Sequence, residues 1–304
     1  MLWFFIALIG PLMYAITNHI DKFLLEKYFK NGGVGTLLLF SSLFSIFVLP
    51  FIYLADKTVF SVSGIHIIAL AVVGILNVLV LLFYFIALQN EEASVTIVFY
   101  QLMPVFGYIL SYFILGETLT QLQIIAMIII ISGTTIVSFE IDSDNKFKLR
   151  KKTILPMLAA SFFWALESVI FKAVALEENF LRSLFWEHLM MLTIGIIIFI
   201  FISSYRKTFI LAIKNNSKKI LFLNSINEFL YVIGSLAFTY ATLIAPVALV
   251  LLSDSFQSIF VLIIGIVLTI FFPKIAVEKI NKRHIWTKII AIILTGIGTY
   301  LLFM

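Results

Sequence analysis

The chain has 304 residues, 62% of them hydrophobic and 12% charged, with a net charge of +5 and a mean hydropathy of +1.14. That composition excludes a soluble globular protein and places the chain among multi-span membrane proteins. It has no cysteine, so disulfides and thiolate metal sites are excluded as well.

A hydrocarbon core of about 30 Å takes about 20 apolar residues per helix, and ten such stretches follow one another. They run over 2–20, 34–54, 64–88, 93–115, 119–139, 153–175, 182–203, 219–241, 244–272 and 285–304. The opening MLWFFIALIGPLMYAI has no basic stretch before its apolar run and no small-residue cleavage pattern, so it reads as a retained first helix. The longest polar connections, 140–152, 204–218 and 273–284, are too short to hold a soluble domain.

Two nine-residue segments look like copies of one another: Tyr14-Ala-Ile-Thr-Asn-His-Ile-Asp-Lys22 and Trp164-Ala-Leu-Glu-Ser-Val-Ile-Phe-Lys172. Each lies in the first of five apolar stretches. Five is odd, so a second copy enters the membrane upside down. The predicted architecture is therefore all-α, with ten transmembrane helices as two inverted five-helix repeats around a central cavity. Residues 1–139 form the first repeat, 140–152 a cytoplasmic linker and 153–304 the second repeat. Inverted repeats are a feature of alternating-access transporters, whose substrate site lies near the bilayer midplane between the repeats.

The basic residues follow the loops. Eighteen of the 21 Lys and Arg lie at the odd-numbered connections, as in Lys146 to Lys152 and Arg206 to Lys219, whereas the even ones hold Lys57 and Arg182. By the positive-inside rule the odd connections are cytoplasmic and both termini face outward. The same distribution explains the net charge without a nucleic-acid partner.

Ionisable side chains within spans cost about 2.5–3.5 kcal/mol each on the insertion scale and face a cavity or a partner. Three acids fall near mid-span in the second half: Glu167, Glu228 and Asp254. They are the candidates for substrate binding or proton coupling, Glu167 being also within reach of Lys172 at i+5. The eighth stretch places Asn224, Asn227, Glu228, Tyr231 and Ser235 on one helical stripe, and the ninth repeats the pattern with Ser253, Asp254, Gln257 and Ser258. In the first half Tyr14, Thr17, Asn18, Asp21 and Lys22 share a face. Thr96, Tyr100, Gln101 and Ser111 form another, and Asn77 and Tyr84 lie seven apart in the third stretch. The expected cavity lining is Asn18, Asn77, Tyr100, Gln101, Trp164, Asn227, Tyr231 and Gln257, with Tyr240 as a further aromatic on a polar face.

Other polar residues have structural readings. Lys172 and Glu187 are expected to pair near the external ends of the sixth and seventh stretches, with His188 in local polar packing. Asn77, Asn224 and the serines can also act as interhelical hydrogen-bond glue. The acidic run Gln89-Asn-Glu-Glu92 reads as a solvated turn, so no metal site is expected.

Residues 102–137, LMPVFGYILSYFILGETLTQLQIIAMIIIISGTTIV, resemble the EamA branch of the drug/metabolite transporter superfamily. The resemblance rests on Pro104-Val-Phe106, Gly116-Glu117 and the glycine of Ile131-Ser-Gly-Thr134. Asp254-Ser-Phe-Gln-Ser258 and Leu294-Thr-Gly-Ile297 echo it in the second half, without the proline and with about ten residues inserted. It implies a secondary transporter of a small polar or amphipathic metabolite in a multi-pass prokaryotic plasma membrane, an exporter or exchanger that needs no cofactor. Relatives are described with cytoplasmic termini, in contrast to the charge count here. In that setting Glu117, at a membrane boundary, suits helix capping and contact between the repeats.

The acids suit a cationic or zwitterionic substrate and make an antiporter with protons as coupling ion a natural mechanism. The same acids can bind a substrate amine without coupling, in an uncoupled facilitator. A lipid-carrier flippase and a non-transporting structural or sensory protein are further alternatives. An intramembrane enzyme is disfavoured by the lack of Gly-x-Gly-Asp and His-Glu-x-x-His motifs. The partners implied are the substrate and the bilayer, with the chain acting as monomer or homodimer.

Overall fold

The computed structural model describes residues 1–29, 33–90, 96, 98–139, 151–271 and 293–304; the side chains of 90, 98, 134–139, 151–153, 215–217 and 219 are not described. All regular structure among these residues is helical. In chain order the elements are α1 (Leu2–Lys27), α2 (Gly33–Ala55), α3 (Gly64–Asn90), α4 (Met103–Leu115, entered through a 3-10 turn at Val98–Leu102) and α5 (Gln121–Phe139). Then come α6 (Lys151–Glu177), α7 (Phe180–Phe201), α8 (Ser203–Ile244), α9 (Val247–Phe271) and α10 (Ile293–Leu302). Among the described residues, seven helices hold a stretch long and apolar enough to cross a membrane, and three shorter apolar helices accompany them.

Most of the expected connection at 140–152 and all of 273–284 lie outside the described residues, as does the acidic pair Glu91 and Glu92. The other long polar connection is a correction. Residues 204–218 are not a loop but the start of α8. The reason is local: from Ser203 to Lys218 there is neither glycine nor proline, and Lys, Arg, Leu and Ala are sound helix formers whatever their polarity. Arg206 caps the preceding helix by donating from Nη1 to the carbonyls of Phe199 (3.3 Å) and Ile200 (2.7 Å).

Helix α9 is interrupted. Val247–Ser253 and Gln257–Phe271 are joined by a 3-10 turn at Asp254–Phe256, as α4 is preceded by one at Val98–Leu102. The two turns touch each other. Helix α8 ends where Ala245 becomes extended before Pro246, as expected of a residue preceding proline.

The principal neighbours are α1 with α8, α3 with α6, α2 with α7, α2 with α8, α3 with α7, α4 with α6, α4 with α9 and α1 with α9. Exchanging each helix of the first five with the one five places later returns the same set of pairs. At the α1–α8 crossing Gly10 faces Phe238 and Gly234 faces Met13. A Cβ on Gly234 would stand 2.9 Å from the Met13 Cβ and 3.3 Å from the Gly10 carbonyl oxygen. The two backbones are thus as close as small residues permit.

The candidate cavity

Tyr14, Thr17, Asn18 and Asp21 recur at i, i+3, i+4 and i+7, so α1 turns all four to one side. They line a cavity of about 40 Å³, completed chiefly by Ser41, Tyr84, Tyr100, Trp164, Asn227, Glu228, Tyr231 and Gln257. On α8 Asn227 and Glu228 are buried and Tyr231 half-buried along one stripe, while Phe229 on the other face is 59% exposed. Six of the eight expected lining residues thus share one chamber: Asn18, Tyr100, Trp164, Asn227, Tyr231 and Gln257.

A second chamber of about 10 Å³ is lined by Asn77, Glu167, Ser235 and Thr239, and shares Tyr14, Val80, Trp164 and Tyr231 with the first. Along α3, Asn77 and Tyr84 are seven residues apart, about 10 Å of helix rise, so the two chambers lie at different depths. Between them stands a wall of rings. Tyr14 is 5.5 Å from both Trp164 and Tyr231, and Trp164 meets Tyr100 edge-on at 5.2 Å.

The acids divide among distinct environments. The Ser41 hydroxyl donates to Glu228 at 2.7 Å. Asp21 accepts from Asn227 Nδ2 at 2.7 Å and from the Tyr84 hydroxyl at 3.4 Å, and that hydroxyl also bonds Asn18. Asn77 donates to Glu187 at 3.0 Å, and Glu187 acts electrostatically on Glu167. Asp254 sits in the turn of α9, 1% exposed, with neither carboxylate oxygen bonded among the described residues.

Several expectations need correcting. Gln101 lines neither chamber; its amide donates to Ser258 at 3.1 Å and ties the two 3-10 turns together. Asp254 also lies behind the lining. Tyr240 is 44% exposed and packs on Phe180. Lys172 pairs with neither Glu187 nor Glu167. Its ammonium donates to Glu117 at 2.5 Å and to the Ala245 carbonyl at 2.8 Å, while the second Glu117 oxygen accepts from the Val247 N–H at 2.8 Å. Glu117 so caps the first turn of α9, where unpaired N–H groups favour an anion. His188 bonds Ser45 at 3.1 Å, as local polar packing requires.

Asp21 lies on the polar face that the sequence gives the first stretch, through its i+7 relation to Tyr14; Ser41, one of several serines in an apolar run, carried no such signal.

A buried polar chamber within a bundle of apolar helices defines a multi-pass integral membrane protein with an internal site. Residues 1–139 match the family model described as the EamA-like transporter family. A search of curated proteins finds no match. One solved crystal structure is similar with a TM-score of 0.61 at 16% identity, over 99% of this chain and 94% of its own, which shows the fold alone.

Proposed function

We propose that the chain is a secondary transporter, an exporter or exchanger, that moves a small polar or amphipathic metabolite by alternating access of two inverted five-helix halves, 1–139 and 153–304. One observation carries this reading. Two polar chambers at different depths share a wall of Tyr14, Trp164 and Tyr231, to which both halves contribute. Rings at such a wall can close one chamber while the other is open, which alternating access requires. The exchange symmetry of helix neighbours supports two related halves, and Tyr14 and Trp164 occupy equivalent places in them.

Glu228 and Glu167 serve the substrate from the two chambers, and Asp254 carries the coupling proton. An unbonded carboxylate in a dry setting is costly as an anion, so protonation there relieves a real penalty. The test is transport in sealed vesicles with an imposed pH gradient. Wild type should accumulate substrate against its gradient, whereas Asp254→Asn should exchange without accumulating. Accumulation by that variant at the wild-type rate would remove the coupling role and leave an uncoupled facilitator.

A further inference from the structure

The larger chamber has a one-signed lining. Asp21 of α1 and Glu228 of α8 reach it from opposite halves, and no Lys, Arg or His lines it among the described residues. Lys22, next to Asp21 in the chain, turns elsewhere, donating to the Leu88 carbonyl at 3.1 Å and pairing with Glu26 at 3.3 Å. Around the two carboxyl groups stand π-faces: Tyr84 and Tyr100 stack at 6.3 Å, and Trp164 stands at right angles to Tyr100.

We propose that this chamber takes an organic ammonium ion, and that Asp21 fixes the preference for positive charge. The inference deepens the transporter reading and rests on it. An inorganic ion would be served better by a shell of oxygens than by aromatic faces, whereas alkylammonium groups are held by both carboxylates and ring quadrupoles. An anion would meet two carboxyl groups with no compensating base. Asp21 is held by Asn227 and Tyr84, yet a carboxylate has about four acceptor positions. It is therefore both oriented and able to accept from a ligand.

Binding to the purified full chain in micelles decides the matter, read by thermal shift and tryptophan fluorescence. The probes are choline, tetraethylammonium and benzyltrimethylammonium, against benzoate and 3,3-dimethylbutan-1-ol, which copies the shape of choline without its charge. At least one cation should stabilise wild type, and the alcohol and benzoate should not. Asp21→Asn should weaken that cation at least tenfold, and Asp21→Glu should restore part of the loss. Trp164→Phe should bind and Trp164→Leu should bind more weakly. Stabilisation by no cation, equal binding of choline and the alcohol, or wild-type affinity in a folded Asp21→Asn would overturn the proposal. Counterflow in vesicles separates it from the transporter reading. A cation that binds in micelles but never crosses leaves this site standing and removes transport; counterflow of benzoate alone keeps transport and overturns the site.

Discussion

Asp254 is the residue whose placement costs the fold most plainly. It lies 1% exposed, at a break in α9, with two carboxylate oxygens unbonded among the described residues. Burying a carboxyl group without a partner opposes folding, so its neutral isostere should stabilise the protein. Asp254→Asn is expected to raise the melting temperature, corresponding to about 1–2 kcal/mol, while losing gradient-driven accumulation. A lower melting temperature would show that the carboxylate has partners that these contacts do not include. Glu228 differs because Ser41 satisfies one of its oxygens. Ser41→Ala should therefore alter the pH dependence of transport, measured in vesicles, with little change in assembly.

At the scale of elements, two clasps tie the halves together. In the first, Glu117 follows Gly116, which caps α4 with φ 67°, a left-handed conformation that costs other residues about 1–2 kcal/mol. From there Glu117 reaches Lys172 of α6 and the first turn of α9. Their side chains are only 14% and 9% exposed, so removing one partner leaves a charge poorly solvated, at about 3 kcal/mol. A double-mutant cycle of Glu117→Gln and Lys172→Met, followed by thermal melting, should show strong coupling, with the double variant more stable than either single one. Additive effects would mean that the pair is not the clasp. Gly116→Ala should weaken the same contact by straining the turn.

The second clasp joins the α2–α3 and α6–α7 connections. Glu178 Oε1 lies 2.6 Å from His66 Nδ1 and accepts from the Ser63 N–H at 3.0 Å. Nearby, the Arg182 side chain reaches Thr58 at 2.9 Å and Asp56 at 3.6 Å. The hydrogen bond with His66, and then that from Ser63, hold the Glu178 carboxyl below its usual range; Thr58 does the same for Asp56. A depressed folded value means stability that is present above the unfolded pKa of about 4.3 and lost as pH falls through the folded one. Wild type should therefore melt higher than Glu178→Gln at pH 6, and the difference should shrink to nothing in strong acid. A difference that persists there would assign the contact to packing rather than to charge.

For the whole molecule, orientation is the open property that the sequence addresses most directly. The eighteen basic residues at the odd connections argue for external termini. Cysteines introduced at Lys214 and Lys57 of this cysteine-free chain should respond oppositely to an impermeant thiol reagent in intact cells. Lys57→Cys and Met304→Cys should label and Lys214→Cys should not; the reverse pattern would invert the topology.

Composition and periodicity were enough to determine the helical membrane class and the α1 and α8 stripes, because burial in lipid imposes length and polarity rules that act along a single helix; motifs such as Gly116-Glu117 carried the family resemblance of the first half. Tertiary structure alone decided which polar faces meet. Lys172 turned from acids on its own and the next helix to Glu117, Asp254 withdrew behind the lining, and Ser41 entered it. Each of these choices depends on how helices distant in sequence pack against one another, where no local spacing encodes the distance between partners.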